Sequence, residues 1–146
     1  MLRSGPIAFF VHGLLEYAAA LASFIVPTMF DFGAAATTWS YVVGVAIVLI
    51  ALTTDGPSSL VARIPINAHV VLDCVLVAAL VASPWVLGFN DQDAPTRWFV
   101  GLGLVHLALT LLTRFVSSDR PHVGSLAAGT SVTVEAEGSG PGAGRG

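Results

Sequence analysis

The sequence predicts an all-α integral membrane protein, four transmembrane helices in two tandem antiparallel hairpins followed by a disordered tail. Three observations predict it: a composition that water cannot solvate, four apolar stretches of spanning length, and an internal duplication. Of 146 residues, 55% are hydrophobic and 10% charged, with a mean hydropathy of +0.82, whereas a soluble domain carries about 25% charged residues. Several of those charges, among them Asp119, Arg120, Glu135, Glu137 and Arg145, fall near the C-terminus, so the preceding chain must be solvated mainly by lipid. The net charge of −3 and the lack of any basic stripe exclude a nucleic-acid partner, since phosphate binding needs clustered Lys or Arg. The single cysteine, Cys74, excludes an internal disulfide and a multi-cysteine metal cluster.

The apolar stretches are 7–30, 37–54, 68–89 and 98–115, close to the ~20 residues a helix needs to cross the hydrocarbon core. Short polar connections at 31–36 and 90–97 make helices one and two one hairpin, and helices three and four another. The stretch 55–67, with Gly56, Pro57, Ser58 and Ser59, joins the two hairpins. Arg3, Arg63, Arg114 and Arg120 fall on one side of the membrane and only Arg97, beside Asp91 and Asp93, on the other. Positive flanks stay in the cytoplasm, so both termini are expected there. Trp39, Trp85 and Trp98, with Phe30 and Phe89, fall at the opposite helix ends, as an aromatic belt would. Usage rich in Ala, Gly, Val and Arg without lysine points to a GC-rich bacterial genome and hence to a bacterial cytoplasmic membrane.

The N-terminal run, ending Ala20-Leu21-Ala22 before Ser23, also imitates a cleavable signal peptide. His12 and Glu16 interrupt its apolar core, and the run belongs to the duplication, which favours a retained helix. From Ser117 the chain turns to Gly, Ser, Ala and acidic residues, the composition of a disordered segment.

A shift of 57 places lays His12 on His69, Glu16 on Asp73 and Pro27 on Pro84; beyond the first outer loop a shift of 59 lays Trp39 on Trp98 and Gly44 on Gly103. The two-residue difference falls in a loop, where insertions are tolerated. Each half, 1–60 and 61–116, is then one two-helix repeat, with 117–146 a cytoplasmic tail. Both copies enter from the same side, so their axis lies along the membrane normal, unlike inverted-repeat transporters.

The string Ala82-Ser83-Pro84-Trp85-Val86-Leu87-Gly88-Phe89, followed by a polar loop and Trp98, resembles the SPW repeat family of small bacterial membrane proteins. The first copy departs from it, with Val26-Pro27-Thr28 in place of the triplet. The resemblance implies paired-helix membrane repeats and brings no reaction, ligand or catalytic residue. Physically, Pro27 and Pro84 remove backbone donors and bend their helices, Ser83 can satisfy a freed carbonyl, and Trp85, Trp39 and Trp98 anchor helix ends. A structural kink and anchor is the first reading, a gating hinge the second.

His12 with Glu16 and His69 with Asp73 stand four apart, so each pair shares a helix face one turn apart. Ionisable groups inside a bilayer are costly and face helices, water or a ligand. Two readings follow: interhelical polar pairs that hold a structural or partner-binding module together, or a site for a divalent metal or protons in a redox-associated or transport protein. The first is the leading expectation, since both pairs lie near the headgroup level, where snorkelling can satisfy them. His106, expected near the midplane, is a candidate haem, quinone or proton ligand, or else a partner in a helix-to-helix hydrogen bond with Thr110. Ala18 with Ala22, Ala78 with Ala82, and Gly101 with Gly103 are read as helix-packing positions. Besides the lipid bilayer, the expected partners are another copy or another membrane protein. No phosphate loop, Gly-x-Ser-x-Gly elbow or His-Glu-x-x-His motif is present, so soluble-enzyme chemistry has no support.

Overall fold

Four helices follow one another in the computed structural model, which describes residues 5–115: α1 (Phe9–Met29), α2 (Ala34–Thr53), α3 (Ile66–Val86) and α4 (Asp93–Leu112). All four are long and apolar enough to cross a membrane. The expected tail from 117 on, with Arg120 and His122, lies outside the described residues, as does Arg3. Large apolar side chains point outward along every helix, Leu21, Leu49, Val71 and Val105 among them. In water such a surface would aggregate; in lipid tails it costs nothing.

The largest departure from the predicted spans is at α4, which begins at Asp93 rather than at residue 98. Polar Asp93, Thr96 and Arg97 belong to its first turns, where a helix end reaches the headgroups, and an exposed Asp93–Arg97 pair at 3.1 Å supports that turn. Pro95 sits where its missing N–H would have had no partner. The apolar count had marked the hydrophobic stretch and not the helix; His106 lies six residues, about 9 Å, from the end of α4 at Leu112.

Pro27 and Pro84 stand in the last turns of α1 and α3, so they end the helices instead of kinking their middles. Each proline frees the carbonyl four residues back. Ser83 Oγ donates to the Leu80 carbonyl at 2.8 Å, and the Ser23 carbonyl accepts from Ser40 Oγ of α2 at 2.7 Å. The chain then turns through left-handed residues, Asp31 (φ 48°) and Gly88 (φ 70°). Phe32 N–H closes onto the Pro27 carbonyl and Phe89 N–H onto that of Pro84, the hydrogen bond of a Schellman C-cap.

Helix packing is concentrated within each hairpin, α1 on α2 and α3 on α4, with less contact between hairpins. Gly44 lies against Ala20 and Phe24, and Gly103 against Leu80 and Val81. At these two glycines helix approaches helix. Gly101 has open space where a side chain would stand, and Ala18, Ala78 and Ala82 are exposed, because the side of each helix that meets its neighbour lies elsewhere. Phe89 is turned inward, against Phe99 at 5.3 Å between ring centroids, leaving Trp85 and Phe30 outward.

At the end where the chain begins, two short parallel pairings tie the hairpins together. β1 (Ile7–Ala8) pairs with β2 (Thr113–Arg114), and Thr54 bridges Ile64. Ile64 is Ile7 shifted by 57 and Thr113 is Thr54 shifted by 59. The same junction is therefore made twice, each time between the start of one hairpin and the end of the other.

Candidate metal centre

One turn into α1 and α3, the repeated positions converge. His12, Glu16, His69 and Asp73 are all buried, none more than 2% exposed, and one ligand atom from each lies within 4.8 Å of every other. His12 Nε2 and His69 Nε2 are 3.4 Å apart. Glu16 Oε1 is 3.6 Å from the first and 3.7 Å from the second. Asp73 Oδ2 is 3.5 Å from His12 Nε2 and 3.4 Å from His69 Nε2.

The outer nitrogens fix which atoms face inward. His12 Nδ1 meets Thr113 Oγ1 at 2.9 Å, and His69 Nδ1 meets Thr54 Oγ1 at 2.8 Å. Both threonine hydroxyls stand 2.6 Å from the carbonyl one helical turn back, Leu109 and Ile50, to which they donate. Their oxygens therefore accept from Nδ1–H, and in the neutral imidazole the lone pair belongs to Nε2. In that neutral form two nitrogen lone pairs and two carboxylates converge with no donor among them. Histidines that ligate metals are held in this way, the remote N–H donating to an oxygen.

Ligands about 2.0–2.2 Å from a tetrahedral centre stand about 3.3–3.6 Å apart; five of the six separations here run from 3.4 to 3.7 Å, and the sixth, Glu16 to Asp73, lies within 4.8 Å. The donor set, two imidazoles and two carboxylates, suits zinc or a divalent iron or manganese ion; it lacks the thiolates that select copper(I) and the six or more oxygens that calcium takes. Donors this close enclose an ion and leave no space for a haem or a quinone ring. Clefts of about 390, 420 and 200 Å³ lie elsewhere, at the other end of the bundle against Trp98 and Trp39.

Aromatic rings close the site toward the chain termini. Phe9 and Phe115 meet edge to face at 5.2 Å, and both rings lie against both imidazoles, at 5.3 to 6.1 Å. Such a wall excludes water and lowers the local dielectric, which strengthens every charge interaction inside.

His106 joins this group from α4. Its Nε2 is 3.4 Å from Asp73 Oδ1, a close approach in which neither atom makes a hydrogen bond. The Thr110 hydroxyl stands 3.1 Å from Asp73 Oδ2 and 3.0 Å from the His106 carbonyl. The expected His106–Thr110 bond is thus made to the histidine's backbone, while its ring faces the aspartate. Of the other singled-out positions, Ser83 and Pro84 are buried, Trp85 is exposed, and Trp39 and Trp98 are half-buried; they and Pro27 lie at the far end and touch none of the four ligating side chains. Thr54 and Thr113 escaped the sequence reading, although the 59-place shift that aligned Trp39 with Trp98 also aligns them.

Comparison with known proteins finds no match among curated proteins and none among solved structures. A family model, that of the SPW repeat domain, matches residues 10–113. That stretch carries both hairpins, all four converging side chains and both threonines behind them, and by this match the chain belongs to the SPW repeat family.

Proposed function

We propose that this protein binds one divalent transition-metal ion inside the membrane, with His12 and Glu16 of the first hairpin and His69 and Asp73 of the second as ligands. The observation that carries the reading is the set of four inward acceptors with no donor between them, each imidazole held from behind by a threonine. With both imidazoles neutral the lone pairs face one another, an arrangement that a bound metal ion satisfies. An ion at this point joins two hairpins that otherwise share few contacts, so the metal also serves as a clasp. The reading thus absorbs the structural module the sequence favoured and gives it a ligand.

The repeats 1–60 and 61–116 each supply one histidine and one acid. Arg63 and Arg114 near the cluster, against Arg97 at the other end, support an orientation with both termini in the cytoplasm and the ion in the inner leaflet of a bacterial cytoplasmic membrane.

The test is metal content by mass spectrometry on the full chain purified in mild detergent without chelator, then after loading with zinc, cobalt(II), manganese(II) or iron(II). One equivalent per chain is expected, and it should vanish in the His12→Ala, His69→Ala double variant. A folded wild-type protein that retains none of these ions sinks the reading.

A further inference from the structure

The two halves supply the same residue types to the cluster but do not hold their carboxylates alike. Asp73 is fully buried, and both its oxygens are approached from α4: Oδ1 faces His106 Nε2 at 3.4 Å without a hydrogen bond, and Oδ2 stands 3.1 Å from the Thr110 hydroxyl, whose one proton is shared with the His106 carbonyl at 3.0 Å. The 59-place shift puts Ile47 and Ala51 at the equivalent positions of the first half. Both are buried, and neither can donate a hydrogen bond. Glu16 approaches the two imidazoles at 3.6 and 3.7 Å, slightly farther than Asp73 does at 3.5 and 3.4 Å. Its side chain is one methylene longer and has one more rotatable bond.

From this asymmetry we infer that Asp73 is the fixed carboxylate of the metal centre and Glu16 the displaceable one, with His106 and Thr110 as the positioning residues that make the difference. The inference rests on the metal-binding reading above. A carboxylate confined by polar neighbours at both oxygens keeps its angle to the ion when a competing ligand arrives, whereas one facing only the ion and the imidazoles swings away at the cost of a single bond. The centre therefore has three fixed ligands, His12, His69 and Asp73, and one position that opens. Three protein ligands and an exchangeable fourth are the arrangement of zinc sites that take up water or a small anion, and four fixed ligands that of closed structural sites. The ligand class assigned to the opened position is accordingly water or a small anion such as azide, and departure of Glu16 is the first step of metal release.

Cobalt(II) provides the probe, because its visible spectrum reports coordination number independently of any activity. The full chain is loaded in detergent, and both the spectrum and the rate of cobalt loss to excess EDTA are recorded for wild type and variants. Glu16→Ala should keep one cobalt per chain and show a band shift on adding azide, while Asp73→Ala should lose the metal. The symmetrising double variant His106→Ile, Thr110→Ala should release cobalt about 10–100-fold faster, the scale expected for losing outer-shell support, and His106→Gln, which retains an N–H donor, should restore much of the slow release. The reverse double variant, Ile47→His, Ala51→Thr, should slow release below that of wild type. Equal metal loss in Glu16→Ala and Asp73→Ala, or wild-type release rates in both double variants, would overturn the assignment. A wild-type chain that binds no cobalt would instead overturn the metal-binding reading itself.

Discussion

Replacing Thr54 and Thr113 by valine tests the inward-facing lone pairs directly. Each threonine accepts the Nδ1–H of a fully buried imidazole, at 2.8 Å for His69 and 2.9 Å for His12. Valine keeps the shape and removes the acceptor. The stranded N–H would cost about 1–3 kcal/mol if it stayed where it is. Without metal it need not stay: the proton can move to Nε2, where Glu16 and Asp73 stand 3.4 to 3.7 Å away as acceptors. The apo protein therefore recovers much of the loss, and the metal form, which needs Nε2 bare, recovers none. Affinity should fall by about 10–100-fold per threonine, or about 1.4–2.7 kcal/mol, with little change in the thermal midpoint of the apo protein. Competition with a chromophoric chelator gives the affinity, nitrogen-15 chemical shifts of the histidines give the tautomer, and Thr→Ser variants should restore both. Unchanged affinity in Thr54→Val and Thr113→Val, or a wild-type apo protein already protonated at both Nε2 atoms and hydrogen-bonded to the carboxylates, would refute the argument.

Metal affinity should fall as pH falls, because the same lone pairs must be free of protons to bind an ion; zinc titrations at several pH values measure this, and a flat profile would contradict it. Gly103→Ala places a Cβ about 2.8 Å from Val81 Cγ2 and 3.2 Å from Leu80 Cβ and should lower stability by about 1–3 kcal/mol. Gly101→Ala, with open space around it, should be neutral or stabilising by up to about 1 kcal/mol, and thermal melts in detergent compare the two. Ser83→Ala and Ser40→Ala each leave a proline-freed carbonyl without its hydroxyl and should each cost about 1–3 kcal/mol. A silent result in both serine variants would show that those carbonyls find other partners.

The fold was legible because the bilayer imposes it: an apolar run of spanning length has few alternatives to a helix. The duplication was equally plain, since His12 and His69 recur with their acids at a single offset. What hydropathy could not mark was where a helix outruns its apolar stretch, as α4 does by starting at Asp93, nor that His106 faces Asp73. The convergence itself was beyond reach of spacing alone. Four residues between His12 and Glu16 place them on one face, but whether that face meets its duplicate is decided by how the hairpins pack. Thr54 and Thr113 looked like ordinary helix-end residues; only beside an imidazole does a hydroxyl already committed to its own helix become an acceptor that fixes a tautomer. Gly101 gives the opposite lesson, a small residue in a packing-like motif that faces open space.

Charge explains why such a cluster is sustainable in a membrane at all. Two carboxylates in a low-dielectric interior repel one another and lose their hydration, a penalty of several kcal/mol for each ion. Two imidazoles in the neutral form, their protons already spent on Thr54 and Thr113, offset none of that. A single divalent cation brings the cluster to zero net charge and replaces the lost hydration with four bonds, whereas a monovalent ion leaves one negative charge and a trivalent ion one positive charge buried. The same count makes the ion and the fold interdependent, since taking away either carboxylate leaves a charged centre between the hairpins. Glu16→Gln should therefore weaken divalent binding while favouring a monovalent metal ion relative to a divalent one, a change of preference that packing alone would not produce.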